Sequence, residues 1–178
     1  MKTIIFLICF VFLFVSVSLA LSINDNAPVF SLRDNNGNFF HLSDYINPSQ
    51  SPLGKGGLKG GVVKGIIINF FSSTCKPCKN ELPVLNSLVD EFKAKGIKVA
   101  IIGHREDFDK FEEMLKRLKV DKPVVLSDVY GKVGEKYCVK GLPMTFIIGS
   151  DGKVKDIIPG ELPDMDRKLR ERVNRALK

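Results

Sequence analysis

Short apolar runs alternate with amphipathic stretches over most of the chain. The run Ile66–Phe71 is apolar except for Asn69, a pattern typical of a strand covered on both faces. After the cysteines at 75 and 78, apolar residues recur at helical spacing until Gly96. The predicted strands are Ile66–Phe71, Ile97–Ile102, Pro123–Leu126, Pro143–Ile148 and Val154–Ile158, and the later predicted helices are Phe108–Lys119, Val129–Tyr137 and Leu162–Leu177. This order predicts an α/β fold with a central mixed β-sheet flanked by helices.

The residues before this region predict a hairpin followed by a loop. Pro28–Arg33 and Asn38–Leu42 alternate apolar and polar residues around Asp34–Gly37, which is typical of a β-hairpin with a glycine-containing turn. The segment Asn47–Lys64 is rich in Gly, Lys, Ser and Pro. It predicts a flexible surface loop, because it can bury too little apolar surface to offset the entropy of ordering. We therefore expect one domain over residues 24–178 with an N-terminal β-hairpin extension.

The first residues predict export from the cytoplasm. Lys2 precedes the apolar run Ile4–Val15, and small residues follow up to Ala20. This layout is typical of a secretory signal peptide over residues 1–20. The alternative is an uncut membrane anchor, since residues 4–21 are nearly long enough to cross a bilayer. Both interpretations place the rest of the chain outside the cytoplasm, in a bacterial periplasm or on the outer face of the cytoplasmic membrane.

The charge balance argues against one class of function. The 178 residues include 27 Lys and Arg against 20 Asp and Glu, a formal net charge of +7. The basic residues are scattered among acidic ones, without the interleaved aromatic residues that stack on bases, so nucleic-acid binding is not predicted. A basic surface favours anionic partners or membrane headgroups, or is simply a solvated surface. No motif predicts a cofactor or a metal ion.

The four cysteines fall into three groups. Cys9 lies inside the N-terminal apolar run, Cys75 and Cys78 form a close pair, and Cys138 stands alone. An odd number of cysteines after the first segment argues against a disulfide-stapled scaffold. The pair therefore needs a chemical explanation, whereas Cys138 is interpreted as a buried apolar residue in preference to a third redox thiol.

The pair Cys75-Lys76-Pro77-Cys78 lies where a buried strand ends and a helix begins. Unsatisfied backbone N–H groups and the helix dipole favour a thiolate at Cys75, and Lys76 adds positive charge beside it. Pro77 suits the first turn because an N–H there would be unpaired in any case. We predict that Cys75 is the exposed nucleophile and Cys78 the more buried resolving thiol.

The pair has two other interpretations. Half of a zinc site would need a second pair of ligands, but the only histidines, His41 and His104, are not spaced as partners. An inert structural disulfide of this spacing closes almost no loop and so stabilises little. Thiol–disulfide exchange is therefore the function that the pair predicts.

Five motifs occur together along the chain: Ala27–Leu32, Asn69–Phe71, Cys75–Pro83, Gly141–Phe146 and Asp151–Lys153. Together they resemble the thioredoxin superfamily, and within it the TlpA-like and ResA-like extracytoplasmic thiol–disulfide oxidoreductases, whose domain is of the AhpC/TSA-redoxin type. The resemblance runs from Ala27 to about Lys178, apart from the Gly-rich loop. It implies a thioredoxin-like fold.

The resemblance also implies roles for residues around the pair. The Leu142–Pro143 peptide bond is expected to be cis, so that Pro143 packs beside the dithiol and the Leu142 backbone pairs with substrate; otherwise Pro143 merely starts a strand. Glu81 is expected near the dithiol, where partial burial raises its pKa and lets it shuttle protons; otherwise it is an ordinary helix-surface residue. Asn69 stands where cytoplasmic-type thioredoxins carry a buried Asp, which strengthens the prediction for Glu81.

Some positions depart from the family pattern. Thr74 stands where the family often has Trp directly before the first cysteine, so substrate docking is expected to differ. Cys138 is not at a usual family position, and His104 is interpreted as a strand-end polar residue in preference to a general base. The residues predicted to bind substrate are Thr74, Lys76, Pro77 and Leu142.

The predicted function is the reduction of disulfides in exported proteins by the Cys75–Cys78 dithiol. The resemblance suggests the haem-site cysteines of apocytochrome c as substrate and a membrane protein as electron donor, and we expect a monomer. Two alternatives share the fold. A peroxiredoxin-like thiol peroxidase is disfavoured because Ile68 stands where its proline would lie, and a copper carrier is disfavoured by the cysteine spacing.

Overall fold

The computed structural model describes residues 20–46 and 63–178. The predicted signal peptide or anchor, apart from Ala20, and residues 47–62 of the predicted loop lie outside the described residues. Val63 and Lys64 were predicted to end that loop, but Val63 is buried, and the Lys64 backbone donates to Gly96 O and accepts from Ser150 N. These two residues therefore belong to the packed fold. Within the described ranges no helix is long and apolar enough to cross a membrane.

The helices and strands follow the predicted order. A single 3-10 turn, Leu42–Asp44, follows the hairpin. The strands are β1 Ser31–Arg33, β2 Phe39–His41, β3 Gly65–Phe71, β4 Ile97–His104, β5 Val124–Asp128, β6 Met144–Gly149 and β7 Val154–Pro159, and the helices are α1 Lys76–Ala94, α2 Phe108–Arg117, α3 Lys132–Lys136 and α4 Met165–Ala176.

Five strands form the central sheet in the order β5-β4-β3-β6-β7, and β1 and β2 form a separate antiparallel hairpin. β3 pairs in parallel with β4, and β4 with β5, whereas β3–β6 and β6–β7 are antiparallel. The two parallel crossovers step in the same direction, so their usual right-handed connections place α1 and α2 on one face. The predicted mixed sheet with an N-terminal hairpin is confirmed.

The residues of β3 alternate between two hydrophobic cores. Ile67 and Phe71 pack with the buried residues of α1, α2 and α4. Ile68 and Phe70 face the other way, toward the hairpin and α3. Asn69 lies between Ile67 and Phe71 on the face that α1 covers and is only 1% exposed, so this polar residue needs partners on α1 or on a neighbouring strand.

Three helices are shorter than the sequence pattern predicts. The helix predicted over Phe108–Lys119 ends at Arg117, two residues before the left-handed Lys119 (φ +56°), and two others begin later than predicted. The predicted helix from Val129 begins only at Lys132, because Gly131 has a left-handed backbone (φ +68°) that a right-handed helix cannot include. The last helix begins at Met165 and not at Leu162, since Asp164 is also left-handed (φ +55°). At both of these helix starts, the apolar spacing begins a few residues before the helical backbone does.

The strand register gathers several chain segments at one edge of the sheet. Phe71, the last residue of β3, pairs with Gly103, and His104 pairs with Asp128, so the carboxyl ends of β3, β4 and β5 coincide. Because β6 is antiparallel to β3, its first residue Met144 lies opposite Phe70. The cysteines that follow β3 and the proline that precedes β6 are therefore brought to the same edge.

Candidate active site

Cys75 caps the N-terminus of α1, as the sequence predicts. Its backbone is extended (φ −75°, ψ 108°), and its Sγ accepts the N–H of Cys78 at 3.2 Å. The backbone N–H of Cys75 donates to Ser72 O at 3.2 Å, which closes the turn between β3 and the helix. Pro77 lies in the first turn, where its missing N–H leaves no helical bond unmade.

The two cysteines form a disulfide, with 5.3 Å between their Cα atoms. Cys78 is fully buried, whereas Cys75 is partly exposed. A partner disulfide therefore has access to Cys75 and not to Cys78. This difference in access supports the predicted order of attack, in which Cys75 reacts first and Cys78 resolves.

Glu106 fixes the turn that precedes Cys75. Its Oε2 accepts the backbone N–H of Ser73 and its Oε1 accepts the Ser73 hydroxyl, both at 2.7 Å. The Ser127 hydroxyl donates to the Glu106 carbonyl at 2.8 Å, which ties this loop to β5. Sequence reasoning missed Glu106 because it lies 33 residues from Ser73, with no motif linking the two.

Glu81, a residue of α1, lies in a buried polar cluster between this helix and the sheet. Asn69 Nδ2 donates to Glu81 Oε1 at 2.7 Å and to Thr145 Oγ1 at 2.8 Å, and Thr145 Oγ1 donates to Glu81 Oε1 at 3.3 Å. Glu81 is 3% exposed, more completely buried than expected. The pKa of Glu81 is raised to about 7. Burial is the main cause, the hydrogen bonds from Thr145 and Asn69 oppose it, and the nearby Glu161 carboxylate adds to it.

Glu81 lies on the same face of α1 as Cys78. Residues three apart on a helix share a face, and both Cys78 and Glu81 are on the buried face of α1. The predicted rise in the pKa of this carboxylic acid is confirmed; its role in proton transfer stays a prediction. Thr145 was not predicted as a site residue, although it lies within the Gly141–Phe146 motif.

The Leu142–Pro143 peptide bond is cis, which confirms the expectation from the family resemblance. Pro143 is buried, and Leu142 is partly exposed in a groove of about 530 Å³ beside Cys75. Thr74 and Pro77 also line this groove, whereas Lys76 is exposed outside it. The residues lining the groove are Ser72, Thr74, Cys75, Pro77, His104, Arg105, Val139, Lys140, Gly141 and Leu142.

His104 and Cys138 differ in their relation to the groove. His104 is the last residue of β4, as predicted, and it also lines the groove, with its Nδ1 3.7 Å from Asp128 Oδ2. Cys138 is only partly buried, has a left-handed backbone (φ +54°) and does not line the groove. In the described part of the chain no group of three or more His, Cys, Asp or Glu is placed to hold a metal ion.

A thioredoxin-like sheet that presents a partly exposed cysteine at a helix N-terminus, bonded to a buried cysteine one turn on, is the arrangement of a thiol–disulfide oxidoreductase. The model of the AhpC/TSA family matches residues 23–157. The chain belongs to this family.

Known relatives agree with this class. The thiol-disulfide oxidoreductase ResA of Geobacillus kaustophilus is 32% identical over 152 residues, which cover 84% of this chain and 78% of the relative. ResA of Bacillus subtilis is 32% identical over 145 residues, 82% of this chain and 72% of the relative. A solved Chlorobium tepidum structure described as a thiol:disulfide interchange protein DsbE has a TM-score of 0.74 and 26% identity, and covers 89% of this chain and 100% of its own.

Proposed function

We propose that this oxidoreductase reduces disulfides of proteins outside the cytoplasm. The observation that carries the proposal is the difference in access between the two sulfurs at the start of α1. Cys75 is partly exposed beside the cis Leu142–Pro143 bond, and Cys78 is fully buried. Cys75 is thus accessible to a substrate disulfide, and Cys78 is placed to resolve the mixed disulfide.

The reaction begins with the protein in its dithiol form. The Cys75 thiolate attacks one sulfur of a substrate disulfide, so that a mixed disulfide forms and the other substrate sulfur leaves as a thiolate. The helix N-terminus stabilises the attacking thiolate of Cys75. Cys78 then attacks the Cys75 sulfur, which releases the second substrate thiol and leaves the Cys75–Cys78 disulfide. Two electrons pass to the substrate, and a dithiol donor restores the protein.

Glu81 is proposed to take the proton that Cys78 loses when it attacks. A general base works best when its pKa lies near the working pH, and the pKa of Glu81, about 7, meets that condition. Asn69 and Thr145 hold the carboxyl group on the α1 side of the sheet. We assign Glu81 as the proton acceptor and these two residues as its positioning partners.

Substrate binding is assigned to the groove beside Cys75. Leu142 precedes the cis proline and lines the groove, and its backbone N–H and C=O bond to no residue that the structure describes. An extended substrate segment beside Leu142 would use these free groups, as in strand addition. Thr74 and Pro77 supply side-chain contacts in the groove, and Lys76 lies outside it at the start of α1.

The cellular setting is proposed from the sequence and the family. The N-terminal pattern favours export or anchoring, which places the dithiol in an extracytoplasmic compartment. We propose a monomer that receives electrons from a membrane protein and passes them to exported proteins, with the haem-site cysteines of apocytochrome c as the expected substrate. The ResA names of the relatives support an oxidoreductase over the peroxidase and copper-carrier alternatives.

The reduction potential tests the direction of electron flow. The full chain in non-ionic detergent is equilibrated against glutathione and dithiothreitol buffers, with Cys75→Ser as the control that forms no internal disulfide. A value near that of thioredoxin, about −270 mV, supports a reductant. A value near −120 mV, typical of strong dithiol oxidants, would contradict the proposal and reverse the direction.

A further inference from the structure

The groove beside Cys75 carries an unbalanced positive charge. Arg105 and Lys140 line it and are both exposed, and no Asp or Glu is among its lining residues. Lys76 and Lys79 add two exposed ammonium groups on the first turns of α1. The surface that a substrate meets at Cys75 is therefore cationic.

Little within the protein neutralises these charges. Lys76, Lys79 and Lys140 form no ion pair with any residue in the described ranges, and residues 1–19 and 47–62 contain no Asp or Glu. Glu135 lies 3.7 Å from the Arg105 guanidinium, but the two side chains are 49% and 64% exposed, so solvent screens the pair.

Three other carboxylates near this edge make structural contacts. Glu161 accepts the Asn80 amide at 3.2 Å. Glu106 accepts both the N–H and the hydroxyl of Ser73. Asp128 is buried and accepts the backbone N–H groups of Val133 and Gly134. None of the three lines the groove, so the charged groups that a bound segment meets directly are those of Arg105 and Lys140.

We propose that this groove selects disulfide-bonded protein segments with acidic residues beside the cysteine that Cys75 attacks. The inference rests on the proposed function and specifies its substrates. Complementary charge speeds the encounter of a protein with its partner and fixes the register of the complex. The free backbone groups of Leu142 favour an extended segment over a small disulfide, because they offer it two hydrogen bonds beside the reacting sulfur.

Matched peptides test the proposal. Three synthetic peptides with the same internal disulfide carry Asp, Ser or Lys at the two positions flanking the cysteines. The pre-reduced full chain in non-ionic detergent is mixed with each peptide, and the second-order rate constant is measured by acid quenching and chromatography. We expect the Asp peptide to react about tenfold faster than the Lys peptide at low salt, and the ratio to fall toward one at high ionic strength.

Charge-reversed variants locate the effect. The double variant Arg105→Glu, Lys140→Glu is expected to lower the Asp-to-Lys rate ratio to below about twofold. The matched control is Lys64→Glu, Lys178→Glu, which makes the same change in net charge. Those two residues lie together near the amino end of β3, at the opposite edge of the sheet. The control is expected to keep the ratio of the unaltered chain.

The outcomes separate the two proposals. Failure to reduce any peptide would contradict the proposed function itself. Equal rates for the three peptides, or an equal loss of the ratio in both double variants, would overturn the specificity proposal while the reductase function stands. Glutathione disulfide reacting as fast as the Asp peptide would also overturn it, since the groove would then select small anionic disulfides and not protein segments.

Discussion

Glu81 and Asp128 are two buried carboxyl groups with opposite behaviour. Each residue is 3% exposed, and each lies in a polar contact cluster below the reactive edge of the sheet. The pKa of Glu81 is raised to about 7, whereas the pKa of Asp128 is lowered. Equal solvent exposure therefore gives opposite results, because Glu81 lies deeper among protein atoms than Asp128 and receives fewer hydrogen bonds.

The groups that surround the two carboxylates differ. Burial tends to raise the pKa of Asp128, but His104 and the backbone N–H groups of Gly134 and Val133 outweigh it. The two N–H groups belong to the first turn of α3, where they lack helical partners. Among the described residues, Glu81 accepts hydrogen bonds only from the Asn69 amide and the Thr145 hydroxyl, and the Glu161 carboxylate repels its charge. His104 and the N-terminus of α3 together keep Asp128 ionised, whereas Glu81, without such partners, is able to exchange a proton.

The largest expected effect is on stability at Asp128. Asp128→Ala leaves the N–H groups of Val133 and Gly134 without their acceptor and is expected to cost about 4 kcal/mol of unfolding free energy, from the penalty for unpaired buried donors. Urea unfolding of the disulfide form at pH 7 measures it. Asp128→Asn retains one acceptor oxygen and serves as the matched control, with a smaller expected loss. An effect below about 1 kcal/mol for the Ala variant would show that water replaces the carboxylate.

The second effect is the pH dependence caused by Glu81. Because its pKa is raised from 4.5 to about 7 in the folded protein, the folded state holds the proton more tightly than the unfolded state. The associated stability is fully present below pH 4.5 and is lost as pH rises through 7. Glu81→Gln removes this dependence, so its stability relative to the unaltered chain should rise by about 3 kcal/mol between pH 4 and pH 8.

Urea unfolding at several pH values measures that difference for the disulfide form. Asp128 does not interfere between pH 4 and pH 8. Its pKa is lowered in the folded protein, so the stability that it contributes is lost only as the pH falls below the pKa of the unfolded chain, near 4. A relative stability that stays constant from pH 4 to pH 8 would contradict the raised pKa of Glu81, and with it the proposed proton transfer.

The smallest effect concerns the surface carboxylate Glu161. Its charge raises the pKa of Glu81, so Glu161→Gln is expected to lower that pKa by a few tenths of a unit, the size typical of a solvent-screened charge. The ¹³C shift of the Glu81 carboxyl group, followed through a pH titration, measures the change. Glu113→Gln removes an equally charged side chain that is 82% exposed on α2. It serves as the control, and an equal shift in both variants would assign the effect to net charge alone.

Much of the reactive end could be predicted from local sequence. Apolar runs predicted the strands, the spacing of Cys75 and Cys78 predicted the start of α1, and the family motifs implied the cis Leu142–Pro143 bond. The resemblance also implied a carboxyl group near the dithiol at Glu81, one turn beyond Cys78. The strands and the start of α1 could be predicted because each depends on residues close together in the chain, whose geometry the local backbone sets.

The partners of those residues could not be predicted. Glu106 clamps Ser73, Thr145 contacts Asn69 across paired strands, and Asp128 lies below His104. Thr145 is 76 residues from Asn69. Contacts of this kind depend on strand order and register, and no short-range pattern contains that information.

The sequence by itself therefore determined the chemistry of this protein: a dithiol at a helix start, a carboxyl group one turn away and a proline expected to be cis. Only the tertiary structure decided how that chemistry is tuned and presented. The parallel register of β3, β4 and β5 brings Arg105 to the same groove as Cys75, and the antiparallel β6 brings Lys140 there. A pKa and a surface charge depend on what surrounds a group in space, and the sheet sets those surroundings.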